Sequence, residues 1–220
     1  MKRHLFFDLD GTLADTDGDI RLAWKAAMSR MKLECPTFDR DFVAGPPIEK
    51  MAQTLFGADF PLERCAELRR LFGECYDTGG LPTTVEYPGM PETLEELSRR
   101  GCTLAIVTNK RHAGALAVAA KFGWARRFAK IYAGDMHDAN PAIGRMDKTK
   151  LLGFAMRELC AAPEDSIMVG DTAGDFAAAR ANGVESVAVA WGYGKPEELA
   201  QADAIVHEPD ALLRLPSLRA

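Results

Sequence analysis

The sequence predicts an α/β fold, a doubly wound parallel sheet that is interrupted near its start by an all-helical segment. Short apolar runs without inside–outside alternation recur along the chain, and such runs are typical of strands covered on both faces. Helix-like segments separate these runs, which favours a doubly wound sheet. Between residues 16 and 84, however, helix-like segments follow one another with no strand-like run. This exception indicates an inserted helical subdomain.

The strands and helices of the sheet domain are predicted in chain order from these runs. The predicted strands are residues 5–7, 104–107, 131–133, 167–169, 187–190 and 204–206. The predicted helices are residues 90–100, 111–122, 148–160 and 173–182. Within the third of these helices, apolar residues recur with the spacing of one buried face, at positions 151, 152, 155, 156 and 159.

The inserted segment is predicted to contain three helices separated by turns that contain proline, at residues 18–33, 47–56 and 61–76. Proline lacks a backbone N–H and disfavours a helical conformation in the residue before it, so it marks helix boundaries. We therefore expect two domains. Residues 1–15 and 85–220 form the α/β domain, and residues 16–84 form the helical domain.

The composition excludes several classes of protein. The 220 residues are 47% hydrophobic, which allows a substantial core, but no apolar run reaches the ~18–20 residues that a bilayer span requires. The net charge of −5 leaves no basic surplus for nucleic acid or an anionic membrane. The first apolar run is too short for a signal peptide, and the five scattered cysteines favour a cytoplasmic protein. A monomer and a homodimer both remain open.

Polar side chains follow three of the predicted strands: Asp8 and Asp10, then Thr108 and Asn109, then Asp171 and Asp175. Ligands bind beyond the carboxyl ends of the strands in an open parallel sheet, so we expect these residues to line one crevice. Gly11 permits a sharp turn there and a close approach of backbone N–H groups to an anion. Clustered carboxylates require a cation, and hard oxygen ligands favour Mg²⁺. Such a site is suited to stabilising a transferring phosphoryl group.

Four segments resemble the motifs of the haloacid dehalogenase superfamily, in the order found in that family. The similar segments are residues 7–13 (Phe-Asp-Leu-Asp-Gly-Thr-Leu), residues 107–110, Lys148 and residues 169–175. Residues 45–47 and 191–194 resemble loops of the phosphoglycolate-phosphatase-like branch. The resemblance covers essentially the whole chain. It implies a Rossmannoid core with an inserted helical cap of the C1 type that closes over the substrate.

The resemblance also implies catalytic roles for the matching residues. Asp8 would attack phosphorus and form an aspartyl-phosphate, and Asp10 would protonate the leaving oxygen and then activate water. Mg²⁺ would be held by the Asp8 carboxylate, the Asp10 backbone carbonyl and Asp171, with Asp175 acting through water or on the lysine. Phosphate oxygens would be held by Thr108, the backbone of Asn109 and Lys148.

Two lysines compete for the third motif. Lys148 and Lys150 are two residues apart, about 200° around a helix, so only one of them can face the site. We favour Lys148, because Arg145 precedes it with the Arg-x-x-Lys spacing that a subset of the family shows. Lys110 and Arg111 could bind the leaving group or be solvated charges at the start of a helix, and we favour the second interpretation.

The predicted function is a Mg²⁺-dependent phosphatase that hydrolyses a small phosphorylated metabolite, either phosphoglycolate-like or nucleotide-like. Asp10 argues against a dehalogenase, because a departing halide needs no acid. Two alternatives remain open. One is a phosphoryl-transferring mutase of the β-phosphoglucomutase type, and the other is a non-catalytic protein that binds a phosphorylated metabolite.

Overall fold

The computed structural model describes residues 3–138 and 144–218. Internal contacts divide the chain into two compact units, one made of Met1–Asp15 and Val85–Ala220, the other of Thr16–Thr84. The first unit carries a parallel sheet with flanking helices, and the second is built from helices. Throughout the described residues, each helix is too short or too polar to span a bilayer.

The strands confirm the predicted α/β fold. In chain order they are β1 (His4–Phe7), β2 (Ala14–Asp15), β3 (Val85–Glu86), β4 (Thr103–Thr108), β5 (Lys130–Ala133), β6 (Ser166–Gly170), β7 (Glu185–Val189) and β8 (Ala204–Val206). Six of these strands form one sheet in the order β5-β4-β1-β6-β7-β8. Every neighbouring pair in this sheet runs parallel. Each of the six predicted strands overlaps one strand of this sheet.

The helices of the α/β unit begin and end within two residues of their predicted bounds, except for a short helix, α9, that was not predicted. In chain order the α-helices are α1 (Asp17–Arg30), α2 (Phe38–Asp41), α3 (Ile48–Phe56), α4 (Leu62–Thr78), α5 (Met90–Arg99), α6 (His112–Phe122), α7 (Lys148–Glu158), α8 (Ala173–Ala181) and α9 (Pro196–Leu199). Short 3₁₀ helices occupy Trp124–Arg126, Pro163–Asp165, Pro209–Arg214 and Pro216–Leu218.

Helices α7 and α8 pack against the middle of the sheet. Leu151 and Ala155 of α7 share a buried apolar cluster with Phe6 of β1, Met168 of β6 and Ala178 of α8. Burying a side chain the size of leucine contributes roughly 1.5–3 kcal/mol relative to leaving it in water. This packing anchors α7 and α8, and both helices begin with residues that belong to the candidate site.

Strand β1 lies between β4 and β6, and this position determines what surrounds the residue that follows it. Phe7, the last residue of β1, is paired in register with Ile106 of β4 and with Val169 of β6. The carboxyl ends of three adjacent parallel strands therefore meet at one edge of the sheet. Asp8 leaves β1 at this edge, with the ends of β4 and β6 on either side of it.

A two-stranded ladder that the sequence did not predict stands where the chain leaves and re-enters the α/β unit. Ala14 and Asp15 of β2 pair antiparallel with Glu86 and Val85 of β3. The indole nitrogen of Trp124 donates a hydrogen bond to Glu86 Oε1 at 2.7 Å. Strands of two residues are too short to show an alternation in the sequence, which explains why the pattern missed them.

The helical unit contains the three predicted helices and one that was not predicted, the four-residue helix α2. Trp24 and Met28 of α1 are buried, and the Trp24 ring lies 5.4 Å from that of Phe42. Asp19, also on α1, accepts hydrogen bonds from the backbone N–H of Thr84 at 2.8 Å and from its hydroxyl at 2.6 Å. This carboxylate joins the first helix of the unit to its last residues.

Candidate active site

Asp8 lies at the carboxyl end of β1 and is buried. Its backbone N–H donates to the carbonyl of Val169 at 2.9 Å, which continues the pairing with β6 past the end of the strand. The side chain belongs to a buried cluster with Asp171 and Asp175, in which one carboxylate oxygen of each residue lies within 4.8 Å of the others. The sheet thus brings together the first and the fourth of the predicted motifs.

Lys148, the first residue of α7, contacts two of these carboxylates. Its Nζ lies 2.5 Å from Asp175 Oδ1 and 2.9 Å from Asp8 Oδ1, and its side chain is only 6% exposed. The side chain of Lys150 is 73% exposed and lies 3.8 Å from Asp147 Oδ2. The helix thus turns Lys148 towards the cluster and Lys150 away from it, as the spacing of the two residues requires.

Asp175 holds Lys148 and also caps the first turn of helix α8. Its Oδ2 accepts hydrogen bonds from the backbone N–H of Thr172 at 3.0 Å and from the Thr172 hydroxyl at 2.8 Å. This is a capping box, which satisfies donors that would otherwise be left unpaired at the start of the helix. Because Oδ1 faces Lys148, both oxygens of Asp175 have partners within the protein.

Asp171 is enclosed by two loops that reach it from β1 and β7. The hydroxyl of Thr12 donates to Asp171 Oδ1 at 3.2 Å, and the backbone N–H of Tyr193 donates to Oδ2 at 2.8 Å. A Cβ atom on Gly192 would clash with the Asp171 side chain and with the carbonyl of Gly11. Both loops therefore approach the carboxylate at a distance that only glycine permits.

Gly11 shapes the first of these loops. Its φ of 79° lies in the left-handed region, and a Cβ atom there would collide with the carboxylate of Asp171. Its own N–H donates to the carbonyl of Ala14 at 3.0 Å and so closes the turn after β1. The structure thus places Gly11 beside the cluster, and the backbone N–H of Gly11 is already hydrogen-bonded within its own loop.

The second motif ends β4 at the same edge of the sheet. Thr108 is buried, and its hydroxyl oxygen accepts a hydrogen bond from the backbone N–H of Lys110 at 3.1 Å. Asn109 is exposed. β4 and β1 are adjacent strands, so these residues follow the neighbouring strand end to the one that carries Asp8 and Asp10.

The interpretation of Lys110 as a solvated charge is wrong. Its Nζ lies 2.8 Å from Asp10 Oδ1, and the two side chains are 7% and 9% exposed. A lysine at the start of a helix usually extends into water, and its partner here is 100 residues away in the sequence. The adjacency of β1 and β4 brings the two residues together, and the sequence did not indicate that the Lys110 side chain turns towards Asp10.

Burial and charge shift the pKa values of the clustered groups. Burial penalises the charged form and raises the pKa of Asp8 to about 7, against the opposing effect of Lys148. Burial, together with the carboxylates of Asp8 and Asp175, raises the pKa of Asp171 to about 8. Burial alone would lower the pKa of Lys148, but the carboxylates of Asp175 and Asp8 outweigh it and raise that pKa. When all three carboxyl groups are ionised, they carry more negative charge than Lys148 offsets.

The residues of the cluster fit a divalent cation. Three buried carboxylates meet, and no donor among the described residues makes a hydrogen bond to Asp8 Oδ1, although Lys148 lies close to it. A cation bound there would offset the excess negative charge and use that oxygen. Hard cations such as Mg²⁺ take oxygen ligands of this kind, one or two of them from protein carboxylates.

Comparison with known proteins gives consistent results. A family model described as haloacid dehalogenase-like hydrolase matches residues 5–189. A 5'-nucleotidase from Pseudomonas aeruginosa is 30% identical over 197 residues, which cover 89% of this chain and 86% of that protein. A phosphoglycolate phosphatase from Xanthomonas campestris is 31% identical over 216 residues, 96% of this chain and 94% of that one. A solved structure of a haloacid dehalogenase-like family hydrolase from Streptococcus pneumoniae has a TM-score of 0.82 and 28% identity, over 97% of both chains.

The family match covers most of the chain. It includes all four motif segments, which are residues 7–13, residues 107–110, Lys148 and residues 169–175. The resemblance noted in the sequence is therefore confirmed. The chain belongs to the haloacid dehalogenase-like hydrolase family and is one of its phosphoric monoester hydrolases.

Proposed function

We propose that the protein is a Mg²⁺-dependent phosphatase that hydrolyses a small phosphomonoester through an aspartyl-phosphate on Asp8. The observation that supports this most directly is the position of Lys148, whose ammonium lies between the carboxylates of Asp8 and Asp175 in a buried site. A cation beside a nucleophilic carboxylate offsets the charge of an incoming phosphate, which would otherwise be repelled.

The metal would be held by the Asp8 carboxylate, the Asp10 backbone carbonyl and Asp171. Asp175 would contribute through Lys148, because that ammonium lies 2.5 Å from Asp175 Oδ1. When bound, Mg²⁺ supplies positive charge to the phosphoryl oxygens and to the nucleophile. Thr12 and the backbone of Tyr193 keep Asp171 in position for this task, since both donate to its carboxylate oxygens.

In the first step, a carboxylate oxygen of Asp8 attacks phosphorus, and the bond from phosphorus to the leaving oxygen breaks. Asp10 enters this step protonated and transfers its proton to the leaving oxygen, so the alcohol departs neutral. The phosphoryl oxygens are held by Thr108, the backbone of Asn109 and Lys148. Gly11 permits the turn that brings Asp10 near the leaving oxygen. The products are the free alcohol and an acyl phosphate on Asp8.

In the second step, Asp10 acts as a base. Its carboxylate takes a proton from water, and the water oxygen attacks the phosphorus of the Asp8 acyl phosphate. The bond between Asp8 and phosphorus breaks, inorganic phosphate leaves, and the Asp8 carboxylate is restored. Asp10 is left protonated, ready for the next cycle, so one residue serves both halves of the reaction.

The proposed substrate is a small phosphorylated metabolite of the phosphoglycolate or nucleotide type. The names of the two curated relatives, a phosphoglycolate phosphatase and a 5'-nucleotidase, support these two classes. We further propose that residues 16–84 serve as the cap domain and select the substrate. The five cysteines are free thiols, which supports a reducing compartment such as the cytoplasm.

The test is phosphate release from a panel of phosphomonoesters that includes phosphoglycolate, nucleoside 5'-monophosphates and sugar phosphates, with Mg²⁺ and with EDTA. We expect Mg²⁺-dependent release that disappears in Asp8→Asn, because an amide of the same shape is a poor nucleophile. A sugar phosphate that is isomerised without phosphate release would instead identify a mutase. A wild-type protein that turns over nothing on the panel would contradict the proposal.

A further inference from the structure

Lys110 contacts Asp10 inside the site, although the proposed reaction gives it no role. Its Nζ lies 2.8 Å from Asp10 Oδ1, and both side chains are almost fully buried. An ion pair in water contributes little, because water screens it and both side chains remain free to move. A buried pair has no such competition, so this contact restricts the orientation of the Asp10 carboxyl group.

The loop that carries Lys110 is itself held in place at both ends. The backbone N–H of Lys110 donates to the hydroxyl of Thr108 at 3.1 Å, at the end of β4. The backbone N–H of His112, where α6 begins, donates to Asp135 Oδ1 at 2.8 Å. The backbone around Lys110 is thus tied to the end of β4 and to a residue just after β5, as a supporting group for Asp10 requires.

We propose that Lys110 is a positioning residue, which orients the Asp10 carboxyl group for proton transfer to the leaving oxygen. This inference rests on the proposed function. Lys110 transfers no proton in this role. It holds one carboxyl oxygen and so limits rotation of the Asp10 side chain, which keeps that group within reach of the departing oxygen. Without it, Asp10 samples orientations from which its proton does not reach that oxygen.

The role makes the effect of Lys110 depend on the leaving group. When an alkyl phosphomonoester reacts, the bond between phosphorus and the alkoxide oxygen breaks as Asp10 protonates that oxygen. A p-nitrophenolate is stable as an anion and departs without a proton. Removal of Lys110 should therefore impair the first reaction and spare the second, whereas general damage to the site would impair both.

The experiment measures kcat/KM for p-nitrophenyl phosphate and for the best alkyl phosphomonoester of the panel. For each substrate, kcat/KM covers the steps up to loss of the leaving group and excludes the later hydrolysis of the aspartyl-phosphate. We expect Lys110→Met to lower it about 10- to 100-fold for the alkyl ester and less than about threefold for the aryl ester. Lys110→Arg should recover most of the loss. The matched control is Lys150→Met, which removes an exposed lysine and should change neither value.

The double variant Asp10→Asn/Lys110→Met gives a second, independent readout. If Lys110 acts through Asp10, this variant is no slower on the alkyl ester than Asp10→Asn alone. Equal losses on the two substrates, or losses that multiply in the double variant, would overturn the inference. If melting shows that Lys110→Met does not fold, Lys110→Gln replaces it in both comparisons.

The two proposals fail in different ways. A wild-type protein that hydrolyses no alkyl phosphomonoester would overturn the proposed function and this inference with it. A wild-type protein that is active and depends on Asp8, combined with equal losses on both substrates in Lys110→Met, would overturn the inference alone.

Discussion

Lys148 Nζ lies 2.9 Å from Asp8 Oδ1, and this contact joins the start of α7 to the end of β1. The same ammonium faces Asp175, so Lys148 contacts two of the three buried carboxylates in the cluster. Such a cluster is suited to receive a divalent cation together with a phosphate. Without them, its uncompensated charge costs stability. Under the proposed function, this loss of stability accompanies a site that binds a metal and a phosphate.

The first prediction concerns Asp8→Asn, which should abolish turnover and yet stabilise the metal-free protein. Burial raises the pKa of Asp8 from 3.8 to about 7, so in this range the folded state binds more protons than the unfolded state. The free energy of unfolding of the wild-type protein therefore falls as the pH rises through this range. Asparagine does not titrate, so the free energy of unfolding of the variant does not fall with pH for this reason.

Thermal melting of the EDTA-treated proteins checks this prediction. The melting temperature of Asp8→Asn should exceed that of the wild-type protein by more at about pH 8 than at about pH 5. Addition of Mg²⁺ should reduce the difference, because only the wild-type protein keeps the full set of carboxylates. A variant that is less stable than the wild-type protein at both pH values would show that the cluster is not under electrostatic strain.

The second prediction concerns Gly192→Ala, which should weaken metal binding. A Cβ atom at this position would clash with the side chain of Asp171 and with the carbonyl of Gly11, so the carboxylate must move. Groups that orient a metal ligand are typically worth about 10- to 100-fold in metal affinity. The concentration of Mg²⁺ that gives half-maximal phosphate release should rise accordingly.

The matched control for this prediction is Gly174→Ala. Gly174 lies in the first turn of α8, where an added Cβ would meet only the Thr172 hydroxyl oxygen, at an ordinary 3.6 Å. An alanine here leaves Asp171 in place, so this variant should keep its Mg²⁺ requirement. It should be at least as stable as the wild-type protein, because alanine favours a helix over glycine by about 1 kcal/mol. The same Mg²⁺ requirement in both variants would mean that the loop at Gly192 does not position Asp171.

The third prediction concerns the helical unit and Asp19→Asn. The carboxylate of Asp19 accepts hydrogen bonds from the backbone N–H groups of Thr83 and Thr84 and from the Thr84 hydroxyl. Hydrogen bonds to a charged group contribute about 1.5–3 kcal/mol, and the amide retains part of this, so we expect a loss of about 2 kcal/mol. Urea denaturation at neutral pH measures it. Asp39→Asn is the control, because Asp39 is 76% exposed and its pair with Lys25 contributes little.

The stability that Asp19→Asn loses should depend on pH, and the pKa of Asp19 gives the sign of this dependence. Burial would raise the pKa of Asp19, but the hydrogen bonds from Thr84 and Thr83 outweigh it and lower that pKa. A lowered pKa in the folded state adds stability that is present at neutral pH and is lost as the pH falls through that pKa. The difference between the wild-type protein and Asp19→Asn should therefore shrink in acid. A difference that grows in acid would contradict the assignment.

The sequence predicted those parts of the fold in which a pattern repeats. Helix α7 was predicted because its apolar residues, among them Leu151 and Ala155, recur over several turns and face the sheet. Helix α2 and strands β2 and β3 were missed, because elements of two to four residues do not complete a recognisable period. Long elements carry their own signal, and short ones depend on the contacts around them.

The meeting of side chains at the ends of parallel strands was predicted, whereas contacts that depend on backbone groups or on the direction of a single side chain were missed. Asp8 and Asp171 follow strands β1 and β6, which are adjacent, so their meeting was expected from the rule for open sheets. The N–H of Tyr193 that holds Asp171 carries no side-chain signal, although the flanking glycines at 192 and 194 permit the close approach. The same rule placed Thr108 and Asn109 near Asp10, but it did not indicate that the side chain of Lys110 turns towards Asp10.

The formation of an aspartyl-phosphate on Asp8 can be tested by acid quench of the wild-type protein during turnover of a good phosphomonoester, followed by location of the phosphoryl group by mass spectrometry. We expect it on the peptide that contains Asp8, and we expect Asp8→Asn, which keeps the shape of the side chain, to carry none. A phosphoryl group on another residue would contradict nucleophilic catalysis by Asp8. So would a quenched sample that carries no phosphoryl group while substrate is being consumed, provided that the method detects a phosphoenzyme that persists.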